Sequence, residues 1–156
     1  MKNYIILIMV ILFTMTITGC SSVLNYQRSI FNEESKIIKS GDSHSYKDRI
    51  GSVREDEIDI KFSSFSGTDT IWKALVEEDV DIVLDFKSVI DKGEFKVVLI
   101  TPNDEIINII NGTEERRQTI LLKKGTNRIK LVGKEAKGEI KMNIDGDSNI
   151  KVKVKD

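Results

Sequence analysis

Cysteine, histidine, proline and tryptophan each occur once in this chain of 156 residues. A single thiol cannot form an intramolecular disulfide, so the fold must rest on its apolar core. His44 lies between Ser43 and Ser45 in a polar stretch, with nothing to set it beside a nucleophile as a hydrolytic triad requires. The chain has neither a glycine-rich phosphate loop nor a Cys/His constellation with metal-ligand spacing. Charge of one sign is also lacking: 24 basic against 25 acidic side chains give a net charge of −1, which argues against a general nucleic-acid binder. The longest apolar run, Tyr4 to Phe13, has 10 residues, short of the roughly 20 that a membrane-crossing helix needs.

What surrounds that run is informative. Lys2 precedes it, and small or hydroxylated residues follow as far as Gly19, the layout of a secretory signal peptide. The tetrad Ile17-Thr18-Gly19-Cys20 resembles the lipobox of bacterial lipoproteins. That resemblance implies a diacylglyceryl group on the Cys20 thiol, cleavage before it, and a mature chain held by lipid on the extracytoplasmic face of the cell membrane. Two acyl chains on one sulfur anchor stably where one does so only marginally, at about 0.8 kcal/mol per buried methylene. The competing reading is an uncleaved N-terminal membrane helix with an incidental cysteine.

Three segments follow: a lipoprotein signal peptide at 1–19, a lipid-anchored tether at 20–55 and a β-sandwich domain at 56–156. The tether is polar and carries Gly41-Asp-Ser-His-Ser45, without the alternation of a strand. Within it Val23, Ile30 and Ile37 recur every seven residues, as do Leu24, Phe31 and Ile38, so a short amphipathic helix competes with a partly ordered linker.

From Asp56 the texture turns to period two. "EIDIKF", "VDIVLDF", "GEFKVVLI", "NRIKLV", "GEIKMNI" and "NIKVKVK" each set alternate apolar side chains on one face. Val98 and Ile100 make the second face of their run apolar too, as in a central strand covered on both sides. Turn residues punctuate these runs at intervals close to 10 residues, the spacing of a sandwich or barrel. Pro102 in "TPND" suits a type I turn. Residues 82–90 and 103–112 also tolerate a helical reading, and both are taken as strands. The expectation is all-β, an antiparallel, jelly-roll-like β-sandwich of about eight strands, with Lys151, Lys153 and Lys155 protecting an edge.

The stretches "RIGSV", "FSSFSGTDTI", "GEFKVVLITPND" and "LLKKGTNRIKLVGKEAKGEI" resemble small uncharacterised β-sandwich lipoproteins and secreted domains of Gram-positive bacteria. The part ending in "RIKLVG" is also similar to the closing strands of jelly-roll carbohydrate-binding modules. These likenesses imply a β-sandwich and bring no catalytic or binding residue with them.

Candidate chemistry is sparse. Glu77, Glu78, Asp79, Asp81 and Asp85 cluster in sequence, yet the alternation turns Asp81 and Asp85 outward to a solvated face. Asp145, Asp147 and Asn149 match the first positions of a calcium loop, but Ile150 stands where glycine is required; a tight turn fits better, and no metal or other cofactor is expected. Phe65 and Trp72 flank "SGTDT" and are the candidate ligand-binding pair, an exposed aromatic patch, against the plainer reading of core packing. The functional expectation is a membrane-anchored, non-enzymatic binding or envelope-accessory domain. Its partners are membrane lipid through Cys20 and an envelope protein or cell-wall glycan, with no nucleic acid. A carbohydrate- or cell-wall-binding module is the alternative.

Overall fold

The computed structural model describes residues 18–145 and 151–154, with side chains from residue 21 onward. Among the described residues two helices, α1 (Thr18–Ile30) and α2 (Glu34–Ile37), precede β1 (His44–Ser45), β2 (Asp48–Val53), β3 (Glu57–Val76), β4 (Val80–Ile100), β5 (Ile106–Asn111), β6 (Glu114–Leu122), β7 (Gly125–Asp145) and β8 (Lys151–Val154). The eight described strands form one antiparallel sheet in the order β1-β3-β7-β4-β5, with β2 and β8 also on β3 and β6 also on β4. The fold is all-β, as the alternation predicts.

Three strands are longer than the sequence suggests. β3 has 20 residues, and β4 and β7 have 21 each. At about 3.3 Å per residue a straight strand of that length would overrun any single core. Each bends midway instead. The register slips at Phe62/Phe65 and Phe65/Gly67 in β3 and at Ile90/Lys92 and Lys92/Glu94 in β4, and bulges of this kind kink a strand without ending it. Ser64, Gly67, Gly93 and Glu135 take positive φ at these bends. "DKG" and "GKEAKG" are therefore bends inside β4 and β7, where the sequence suggested breaks between shorter strands.

The bends fold one sheet into two layers. Residues 57–62, 80–90 and 138–145 form the first with β2 and β6; residues 67–76, 94–100 and 125–133 form the second with β1, β5 and β8. Their inner faces bury a common cluster, with Ile58, Ile60, Leu84, Phe86 and Met142 from one layer and Trp72, Val97, Leu99 and Leu131 from the other. That is the sandwich.

The two outer faces differ. The first layer is ruled with cross-strand ion pairs, Lys61–Glu139 at 2.8 Å, Lys141–Asp59 at 3.0 Å and Lys87–Glu115 at 2.7 Å, and meets solvent. The second layer presents Val98, Ile100 and Val132, which pack under Ile30 and Ile37 in a second apolar cluster. The stretch 20–55, expected as a tether, thus holds α1, α2, β1 and β2. The physical reason is the doubly apolar strand: its outer face needs a cover, and burying Ile30 and Ile37 supplies roughly 1.5–3 kcal/mol each. Residues 103–112 form a turn and strand, with Asp104 N–H donating to Thr101 O at 3.0 Å beside Pro102.

Phe65 turns inward at the bend, and its ring occupies the space where a Cβ on Gly133 would stand. Gly133→Ala should overpack this corner and cost about 1–3 kcal/mol, read as a lowered urea midpoint with an unchanged slope.

Candidate functional site

The covered outer face carries an unusual charge. Lys130 sits in register between Thr70 of β3 and Val98 of β4, in the middle of the second layer. Its side chain has no solvent exposure. Its ammonium donates to Lys39 O at 2.6 Å and lies 3.1 Å from Asp42 Oδ1. Asp42 in turn accepts the Thr70 N–H at 3.0 Å and the Thr70 hydroxyl at 2.9 Å. A buried charge is tolerable only when paired and hydrogen-bonded, and here the partners come from the loop between α2 and β1. Thr68 N–H donates to Ser43 O at 3.1 Å, and Gly67 admits that crossing because a Cβ there would strike Ser43 O.

The latched loop, α1 and the sheet enclose an open pocket of about 740 Å³, lined among others by Tyr26, Lys36, Lys39, Asp42, Thr68 and Arg128. Arg128 is one outward position along β7 from Lys130 and is 12 % exposed. Its Nη2 donates to Asp104 Oδ1 at 2.9 Å, while its buried Nη1 has no hydrogen-bond partner. Lys36 donates to Glu33 and Ser29 and lies 4.9 Å from the Tyr26 ring centroid. Lys96, which donates to Phe31 O at 3.0 Å under the same helical cover, has its ammonium pKa lowered by burial.

Of the residues expected from sequence, Phe65 and Trp72 are corrected. Both have 0 % exposure and offer no platform to a ligand. Phe65 stacks on Tyr46 with centroids 4.4 Å apart and meets Phe62 edge-on at 5.8 Å. Trp72 follows a register shift that rolls its ring into the core, where Nε1–H donates to Arg54 O. For Phe65 a bulge reverses the parity set by Ile58, Ile60 and Phe62, whereas Trp72 shares that parity, and both burials accord with the plainer reading of core packing. Cys20 lies within α1.

His44 is exposed but positioned, with Nδ1 3.0 Å from Thr68 O and its ring edge-on to Tyr46 at 5.4 Å; it is no loose linker residue. Glu77, Glu78, Asp79, Asp81 and Asp85 are exposed. Asp79 accepts from Lys123 Nζ at 2.9 Å and Lys124 N at 2.8 Å, and those hydrogen bonds hold its carboxyl below the usual range. Positions 146–150, which include most of the calcium-loop match, lie outside the described residues, as does Lys155. Lys151 and Lys153 project from β8, whose Val152 and Val154 pack on the core.

Sequence reasoning missed Lys130, Asp42 and Arg128. Lys130 alternates with Ile129 and Leu131 like any outward lysine. The usable signal lay one strand away, in the apolar outer face of Val98 and Ile100, which requires a cover.

No protein-family model matches the chain, and no curated protein matches it. Among solved structures it is similar to a family 35 carbohydrate binding module from an environmental isolate, at 15% identity and a TM-score of 0.39 over 72% of this chain and 83% of that one.

Asp42→Ala leaves Lys130 buried without its carboxylate and should cost about 3–5 kcal/mol, whereas Lys130→Met with Asp42→Asn should recover most of that loss; urea unfolding of both measures the difference. A second expectation concerns Tyr46, whose hydroxyl donates to Asp69 at 2.9 Å. Burial first, then the Asp69 charge, pushes its pKa far above the ordinary value. A raised folded-state pKa stabilises the fold below the unfolded value near 10 and loses that contribution as pH climbs past it. Stability should therefore fall above about pH 10, and Tyr46→Phe should flatten the fall in alkaline melts.

Proposed function

We propose that this chain is an exported lipoprotein, held on the extracytoplasmic face of the membrane by a diacylglyceryl group on Cys20. Its β-sandwich acts there as a non-catalytic binding domain. The observation that carries the binding role is the pocket of about 740 Å³ beneath the α1–α2 cover, built on a buried charged network that fixes its walls. Sites with rigid, hydrogen-bonded support suit recognition of a small polar ligand.

Two features support the anchored reading. Ile17-Thr18-Gly19-Cys20 has the lipobox pattern. Val23 and Leu24, 54% and 39% exposed, follow position 20 by about one helical turn, where a bilayer surface would receive them. Packing begins at Gln27 and Ile30, so seven helical residues, or roughly 10 Å of rise, separate the anchor from the body. The body then rides close to the lipid.

A carbohydrate- or cell-wall-binding module on exposed aromatics is disfavoured, because the two rings proposed for it are buried. Cells grown with labelled palmitate should incorporate label into the wild-type chain and none into Cys20→Ala, which should also retain residues 1–19. An unlabelled wild-type protein that keeps those residues would refute the anchored reading.

A further inference from the structure

We infer that the pocket under the α1–α2 cover binds a small hydroxylated molecule through a phosphoryl or carboxylate oxyanion, drawn in by Lys39 and Arg128. The inference rests on the binding role proposed above and names the chemistry of that same site.

Donors exceed acceptors in this pocket. Three cations line it, Lys36, Lys39 and Arg128, against two carboxylates, Asp42 and Asp104. Asp42 is spent on Thr70 and Lys130, and its side chain is only 1% exposed. The Lys130 ammonium behind it offsets its charge. Asp104 is 61% exposed, so solvent screens it. Lys36 is committed to Glu33 and Ser29.

Two cationic groups keep unused capacity. Lys39 is exposed and contributes its backbone carbonyl to Lys130, while its ammonium makes no hydrogen bond or ion pair among the described residues beyond a longer-range attraction to Glu33. Arg128 has one arm on Asp104 and the other, Nη1, buried and unpartnered. An oxyanion that draws the guanidinium forward from the solvated Asp104 satisfies both arms at once. Paired acceptor oxygens suit that planar fork, and the low-dielectric walls strengthen the field at the mouth. Hydroxyls of Ser40, Ser43 and Tyr26 on the same walls match a hydroxylated scaffold.

The test is calorimetric titration of the full lipidated chain in detergent with glycerol 3-phosphate and with glycerate, each against neutral glycerol at matched ionic strength. The expected result is saturable binding of at least one anion, weakened about tenfold or more by Lys39→Gln and by Arg128→Gln, and unchanged by Lys87→Gln on the opposite layer. Preference between the two anions distinguishes phosphoryl from carboxylate. Lys39 is exposed, so its variant reports on binding even if Arg128→Gln unfolds. Glycerol bound as tightly as the anions, or anion binding indifferent to Lys39→Gln, overturns the oxyanion and leaves a neutral-ligand pocket standing. No saturable binding of any of the three overturns the oxyanion as well. Mass spectrometry of the same sample reports separately on lipid at Cys20, so failure of the anchor is told apart.

Discussion

The buried pair of Lys130 and Asp42 is the constraint on which the N-terminal half of this molecule depends. An ammonium with no solvent exposure loses several kcal/mol of hydration, which hydrogen bonds and a paired charge must offset. Thr70 and Val98, its neighbours in register, provide a hydroxyl and an isopropyl group. The replacement for water is the 39–43 loop, which offers one carbonyl and one carboxylate. Apolar contacts under Ile30 and Ile37 supply adhesion that tolerates sliding. The ion pair, with Thr70 bound to both carboxylate oxygens, tolerates little. Charge here selects the seating of the cover, and apolar burial supplies its strength.

That arrangement is available only because the sheet is folded from three long strands. Bent midway, β3, β4 and β7 present two inner faces to one core and two outer faces to different environments. The first outer face satisfies its charges laterally, strand to strand, in pairs such as Lys61–Glu139; exposed pairs of this kind contribute about 0–1 kcal/mol each. The second outer face has Val98, Ile100 and Val132 where the first has lysines and carboxylates. One sheet therefore carries a soluble wall and a wall that requires a lid. Gly133 and Gly67 mark where strand, ring and loop come closest, and each would clash with a side chain.

Much of this was legible in the sequence. Period-two alternation located the core positions of β3, β4 and β7, and the apolar doubling at 97–100 correctly implied cover on both faces. What alternation cannot show is whether a glycine-rich break reverses the chain or merely bends it, because both need positive φ. Hence "GKEAKG" suggested two strands where β7 has one. Bulges caused the second kind of error: Phe65 sits between two register shifts, and a shift of one residue exchanges outside for inside. The segment 20–55 looked polar because its buried residues are few and widely spaced. Ile30 and Ile37 carry the signal, at a spacing of seven. A buried Asp–Lys pair across 88 positions leaves no local trace at all.

The helix that closes the pocket also carries Cys20. Tyr26 lines the pocket six residues after Cys20, and Arg28 of the same helix is pinned to Glu135 at 2.6 Å. A flexible tether over 20–55 would isolate the domain from the membrane mechanically and electrostatically. If Cys20 carries the lipid proposed for it, the anchor, the pocket wall and the sheet are linked through about three turns of helix. The pocket would then open beside the headgroup layer, where the supply of a ligand depends on diffusion along the surface. Rotation of α1 about Ile30 would move Tyr26 and leave Arg128 in place, because Arg128 belongs to β7 and is bound to Asp104. One wall of the site is thus set by the sheet and the other by α1, and the fold joins the two through the 39–43 latch.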